Sequence, residues 1–283
     1  MNNYLPPEQI AEKTLEIGIA KADNSLNKSF LLGVMGGIFI ALAAFGSIVA
    51  TATISNYSIA VLIAGIVFST GLMMVVVAGG DLYTGNVLMI ISVLKKRTTV
   101  IRMILNLVTV FLGNLAGSII IVLIVNYSGL LESANGMIVG KILTKAVHKV
   151  EYPFHQAFLL GILCNLLVCI AVWMMYSAKD TAGKILTCFF PIMLFILSGY
   201  EHIVANMYYI PAGILASWNM NYIDISGLAK DELLHLTVGA IPNNFIPVIL
   251  GNLVGGLIIG TIYHSIYLRN DIKQPKTKLK MSA

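Results

Sequence analysis

Gly199-Tyr200-Glu201-His202-Ile203-Val204-Ala205-Asn206 interrupts a segment that is apolar on both sides, from Ile185 to Leu197 and again from Met207 to Ala216. A charged residue at mid-bilayer costs about 2.5 to 3.5 kcal/mol on insertion scales. Polar groups at such a depth need compensating partners and mark a solute pathway. A second stretch of the same kind, Gly80-Asp81-Leu82-Tyr83-Thr84-Gly85-Asn86, interrupts the apolar segment from Ile59 to Leu94. Asp81 to Glu201 and Asn86 to Asn206 share one offset of 120 residues. Two other pairs keep the same order: Phe30-Leu31-Leu32-Gly33 with Phe158-Leu159-Leu160-Gly161, and Leu112-Gly113-Asn114-Leu115 with Leu250-Gly251-Asn252-Leu253. The chain therefore reads as two homologous halves.

Six apolar segments are long enough to span, given that about 20 residues cross a bilayer: Phe30–Ala52, Ile59–Leu94, Met103–Val125, Phe154–Tyr176, Ile185–Ala216 and Phe245–Leu268. Three spans per half make the halves enter from opposite sides, an inverted 3+3 repeat with broken second and fifth helices. Irregular backbone at that depth survives only where it is buried in protein or lines a watery cavity. Half-helices also aim positive N-terminal dipole ends at the break, which suits an anion.

Composition agrees. The chain is 58% hydrophobic and 11% charged, with mean hydropathy +0.86, whereas soluble domains carry about 25% charged residues. This is the profile of an all-α integral membrane protein in a lipid bilayer. The net charge of +5 sets topology rather than recruiting nucleic acid. With the N-terminus inside, Lys13, Lys21, Lys28, Lys95, Lys96, Arg97, Arg102, Lys179, Lys184, Arg269, Lys273, Lys276, Lys278 and Lys280 fall inside, and Lys141, Lys145, Lys149 and Lys230 outside. Both termini are thus expected on the cytoplasmic side of the cell membrane. Three regions are predicted: a cytoplasmic amphipathic N-terminal helix over 1–29, a channel body over 30–268 and a basic cytoplasmic tail over 269–283. The helix is expected from about Pro7 to Lys28, with Ile10, Ile17 and Ala20 on one side. It is too charged to span, and Met1 to Lys28 has no apolar core like that of a signal peptide. Cys164, Cys169 and Cys188 form no disulfide framework and no metal-ligand spacing. No nucleotide loop or energy-coupling module is evident, so neither cofactor nor metal is expected.

With these motifs located, the chain resembles the formate/nitrite transporter family over nearly its whole length. The resemblance rests on Gly80 to Asn86, on Gly199 to Met207, on Gly161-Ile-Leu-Cys-Asn-Leu-Leu-Val-Cys-Ile-Ala-Val-Trp-Met174, and on Gly251-Asn252. It implies a homopentamer of aquaporin-like six-helix protomers, each with its own pore for formate, nitrite or hydrosulfide. Read alone, His202 is more readily an interhelical histidine with its bonds satisfied; the resemblance reverses this and makes it the pore histidine, able to hand a proton to a weak-acid anion. Glu201 is expected to point away from the pore, paired with backbone or a basic group. Lys149, in isolation an ordinary loop lysine, becomes the vestibule residue that attracts the anion. Thr84 is implied to hydrogen-bond toward His202 and Asn252 to line the pore, although Asn252 beside a glycine also reads as interhelical glue. Leu72, Leu82, Phe68 and Phe195 match the family's apolar constrictions, while sequence alone does not separate them from core or lipid-facing residues. A naked anion meets a desolvation barrier in such slits that its neutral conjugate acid does not.

The first motif departs from the formate-type pattern, which has Phe before the threonine and Ser after it. It departs equally from the nitrite-type pattern, with Glu for Asp81 and His for Asn86, and so favours the hydrosulfide branch. Two other classes compete with an anion channel: a neutral-solute pore of the water or glycerol kind, which the fold permits, and an intramembrane enzyme using Glu201 and His202, for which no nucleophile or metal set is evident.

Overall fold

The computed structural model describes residues 4–269; beyond Arg269, the basic tail expected over 269–283 lies outside them. In chain order the helices are α1 (Pro7–Asp23), α2 (Leu26–Thr51), α3 (Tyr57–Met74), α4 (Tyr83–Asn86), α5 (Ile90–Leu94), α6 (Val100–Tyr127), α7 (Met137–Glu151), α8 (Phe154–Ser177), α9 (Thr181–Leu197), α10 (Ile203–Ser217), α11 (Met220–Ser226) and α12 (Ile241–Tyr267). A π-turn over Val75–Gly79 extends α3, and a 3-10 turn over Val87–Met89 joins α4 to α5. Among the described residues five stretches are long and apolar enough to cross a membrane: Leu26–Thr51, Tyr57–Gly79, Val100–Tyr127, Phe154–Ser177 and Val238–Tyr267. Three shorter apolar helical stretches, Tyr83–Leu94, Thr181–Leu197 and Ile203–Ser217, lie around the two polar breaks.

Short polar side chains start several helices. Ser25 accepts from the Lys28 N–H, Asn56 from Ile59, Thr99 from Arg102 and Asp180 from Gly183, each satisfying a donor the helix itself leaves open. Pro7 opens α1, where its missing N–H costs nothing. The buried stripe of α1 is Ile10, Thr14 and Gly18 with Ala11, while Ala20 is exposed and Ile17 only half-buried. The predicted side is therefore rotated. The cause is packing: α1 lies against α5, α8 and the 3-10 turn between α4 and α5, where a Cβ on Gly18 would strike the Ser92 hydroxyl.

The two halves are the same unit at the level of contacts. α2 packs along α6, and α8 along α12, at glycine crossings. A Cβ on Gly113 would collide with the Phe30 carbonyl oxygen, and one on Gly251 with that of Phe158. Gly117 and Gly255 face the Val34 and Ile162 carbonyls in the same way. Close backbone approach through small residues is the usual means of helix association in lipid, where no hydrophobic force drives it. The correspondence also includes a helix absent from the sequence reading. Residue 21 of α1 and residue 149 of α7 hold equivalent places, so each half is an amphipathic helix followed by three apolar segments, the second of them broken.

Candidate functional site

Each break begins with a glycine in the left-handed region: Gly79 at φ 94° and Gly199 at φ 72°. This conformation is open to glycine and strained for other residues. The chain then runs extended across the break. The Asp81 N–H donates to the Leu32 carbonyl at 2.9 Å, and the Glu201 N–H donates to the Leu160 carbonyl at 3.3 Å. One asparagine braces each crossing. Asn114 donates to the carbonyls of Gly33 and Asp81 and accepts from the Tyr83 N–H. Asn252 donates to the carbonyls of Gly161 and Glu201 and accepts from the Ile203 N–H. Backbone groups freed by the break are thus satisfied without water, as a bilayer interior requires.

Around each brace sits a lysine–carboxylate pair, buried in the second half and half-buried at its lysine in the first. Lys149 Nζ lies 2.7 Å from Glu201 Oε1. Glu201 Oε2 accepts from Asn206 at 2.7 Å and from Asn244 at 3.1 Å, and Asn244 also donates to the Lys149 carbonyl. Glu201 therefore pairs with a basic group, as the sequence led us to expect. In the first half Lys21 Nζ lies 2.6 Å from Asp81 Oδ1 and 2.5 Å from Asn86 Oδ1. Asn86 donates to Asn106, which donates in turn to the Lys21 carbonyl. Lys21, Asn106 and Asn244 were not singled out in the sequence. The available signal was the offset of 128 that relates Phe30 to Phe158, which carries Lys21 onto Lys149.

His202 stands at the N-cap of α10, where its Nδ1 accepts from the Ala205 N–H at 3.3 Å. That bond assigns the tautomer. With Nδ1 accepting, the proton of the neutral ring sits on Nε2, which lies 3.0 Å from Thr84 Oγ1 on α4. The imidazole of one break thereby donates to the hydroxyl of the other. Both side chains are buried. Adding a second proton at Nδ1 would remove the cap and turn a donor toward the positive end of α10.

Comparison with known proteins places the chain. Residues 8–266 match the formate/nitrite transporter family. The chain belongs to that family. It is 38% identical to the formate channel FocA of Escherichia coli (strain K12) over 275 residues, covering 95% of this chain and 96% of that one. To the formate channel BtFdhC of Bacillus thuringiensis it is 34% identical over 269 residues, covering 92% and 95%. A solved pentameric formate channel with formate bound superposes with a TM-score of 0.77 at 35% identity, covering 86% of this chain and 98% of that chain.

As a member of the formate/nitrite transporter family this is a multi-pass membrane protein, and each break borders a cavity. One, of about 480 Å³, is lined by Lys149, Glu201, His202, Phe195, Lys145 and Tyr209 among others. The other, of about 280 Å³, is lined by Lys21, Asp81, Asn86, Leu72 and Leu82 among others. Of the four constriction candidates, Leu72 and Leu82 wall the second cavity and Phe195 the first. Phe68 packs edge-on against Phe195, ring centroids 5.6 Å apart, and Phe195 lies 5.7 Å from His202. Asn252 is fully buried and lines neither cavity; its amide is committed to the brace. The structure thus joins His202 to Thr84 by a hydrogen bond and to Phe195 and Phe68 by ring contacts, puts Lys149 in the same cavity as His202, and leaves Leu72 and Leu82 on the other cavity. Among the described residues no group of three or more His, Cys, Asp or Glu is placed to hold a metal.

Proposed function

We propose that the protein is a channel for small monovalent weak-acid anions, formate foremost, acting without cofactor or enzymatic turnover. The observation that carries this reading is the Nε2–Oγ1 contact of 3.0 Å between His202 and Thr84. It joins two helix breaks between two lysine-bearing cavities. The protomer is read as six spans, α2, α3 with α4–α5, α6, α8, α9 with α10, and α12, in an inverted, aquaporin-like arrangement, five protomers forming the assembly in the cell membrane. The excess of Lys and Arg on the Lys21 side supports cytoplasmic termini, which makes the Lys149 cavity the outer vestibule.

An anion entering that vestibule is drawn by positive charge and meets His202 behind Phe195. Apolar walls at Phe195, Phe68, Leu72 and Leu82 raise the desolvation barrier for a bare anion. A donor from Nε2–H of His202 or from the Thr84 hydroxyl lowers it where the path is narrowest. Because His202 Nδ1 is used as a helix cap, the histidine is positioned as a hydrogen-bond donor in its neutral form. Passage as the neutral acid would require the imidazolium instead: Nδ1 would take a proton and release the Ala205 N–H, and Nε2 would then give its proton to the anion and return to the neutral ring. The relatives named as formate channels support formate as the lead substrate, whereas the Tyr83-Thr84-Gly85 sequence keeps hydrosulfide as the competing one. The test is flux into proteoliposomes with formate, nitrite and hydrosulfide in parallel. His202→Phe is expected to abolish flux of the preferred anion while the oligomer elutes unchanged; full flux through that variant overturns the central role of the histidine.

A further inference from the structure

The outer vestibule holds more positive charge than its ion pair needs. Lys149 is neutralised by Glu201 at 2.7 Å, so this lysine alone leaves little net field to draw an anion. Lys145 and Lys141 stand one and two helical turns earlier on α7 and line the same cavity. Residues four apart share a helix face. Among the described residues the Lys145 ammonium has no hydrogen bond and no ion pair; it lies 4.3 Å above the centroid of the Tyr209 ring, whose hydroxyl is within 3.3 Å of the Ser47 hydroxyl. Lys141 Nζ donates one bond, to the Thr51 carbonyl at 2.6 Å, and has two donors left. Burial pushes both ammonium groups below the usual lysine value, and Glu201 pulls Lys145 back up. A half-buried cation held only by an aromatic face is a site short of an anion.

The cytoplasmic mouth has no such surplus. The offset that carries Lys149 onto Lys21 carries Lys145 onto Ile17 and Lys141 onto Lys13. Lys13 is exposed and sits 3.7 Å from Glu16. Lys21 and Asp81 cancel each other in their cavity. Lys145 is therefore an addition to one half of the repeat, and Lys141 lines a cavity where its counterpart Lys13 is exposed, whereas the pairing motif is common to both halves.

We propose that Lys145, backed by Lys141, forms a second anion-binding site in the outer vestibule, which captures the permeant anion ahead of the Lys149–Glu201 pair and makes uptake saturate at lower concentration than release. The proposal rests on the reading of the chain as a small-anion channel. A cation in a cleft with low-dielectric walls raises the local anion concentration, and the gain falls as salt screens it.

The experiment measures formate flux against formate concentration in right-side-out and inside-out membrane vesicles carrying wild type, Lys145→Met or Lys145→Arg, with the oligomer checked by gel filtration. Lys145→Met is expected to raise the half-saturating concentration from the outer face about tenfold with maximal flux from that face rising in proportion, so that flux per unit concentration at low formate stays equal from the two faces as a passive channel requires, while half-saturation from the inner face is unchanged. Lys145→Arg should keep the wild-type value, and raising ionic strength should shift wild type toward Lys145→Met. If Lys145→Met does not assemble, Lys145→Gln is used with the same expectation. An unchanged half-saturation from the outer face, or an equal change from both faces, overturns the site while leaving the channel function standing. A wild-type protein silent toward formate, nitrite and hydrosulfide overturns the function and this site with it.

Discussion

At the second break Glu201 accepts from Lys149, Asn206 and Asn244, whereas at the first Asp81 accepts from Lys21 through Oδ1 and its Oδ2 is buried with no partner. One methylene accounts for the difference. The longer glutamate reaches the amides of α10 and α12; the shorter aspartate stops at the lysine, and the Asn86 side-chain amide oxygen Oδ1 accepts the second Lys21 bond. The midplane diverges as well. Leu82 occupies the position equivalent to His202, and Thr84 the position equivalent to Val204. The repeat thus supplies a lysine–carboxylate clamp twice, and the polar contact at the centre is assembled once, with one partner from each half.

Removing the two carboxylates is the strongest way to break this comparison. Glu201→Ala would strand the buried Lys149 ammonium, a loss of about 3–5 kcal/mol for the ion pair alone, and would leave the Asn206 and Asn244 amides with one bond fewer each. Asp81→Ala would leave Lys21 its bond to Asn86 and its 20% exposed side-chain surface, and would also delete the oxygen that already lacks a partner. Thermal unfolding of the detergent-solubilised oligomer should show the larger fall for Glu201→Ala. Equal falls would mean that the extra bonds at the second break contribute nothing.

A smaller effect is expected at the shared centre. Thr84→Val keeps the shape but removes the acceptor facing His202 Nε2–H, leaving a buried donor unsatisfied at about 1–3 kcal/mol. Its contact with His202 on the proposed path makes flux the sensitive readout. Formate flux is expected to fall about tenfold, which corresponds to about 1.4 kcal/mol, with little change in oligomer yield. Unchanged flux would show that the histidine needs no partner from the other half.

How far the sequence carried this site depends on what kind of contact each residue makes. Asp81, Glu201, His202 and Thr84 were legible because charge and hydroxyl stand out against an apolar run. The repeat was legible through Gly113-Asn114 and Gly251-Asn252, where close packing permits glycine and the brace needs an amide. Lys21 was not, because it sits in a helix whose other charges face outward, and only the fold turns it under the first break. The bracing role of Asn252 depended on backbone atoms of Gly161, Glu201 and Ile203, which no side-chain pattern records. The extent of α7 was hidden for a related reason: its buried face, Ile138, Ile142 and Ala146, is too short an apolar signal to stand out from the loop that contains it.

The smallest expected effect concerns the glycines that open the breaks, and it tests whether the two breaks are equivalent in backbone where they differ in side chains. At both Gly79 and Gly199 an added Cβ would meet nothing within 4 Å, so substitution carries no steric collision. What remains is the left-handed backbone, which costs an L-residue about 1–2 kcal/mol. Alanine is expected to lower the melting temperature by the same small amount at either site. The Gly79→Ala, Gly199→Ala double variant should lose the sum, since distant sites add within about 0.3–0.5 kcal/mol. A much larger loss at Gly199 would mean that this turn also fixes the Glu201–His202 pair, and that the difference between the breaks begins at the backbone.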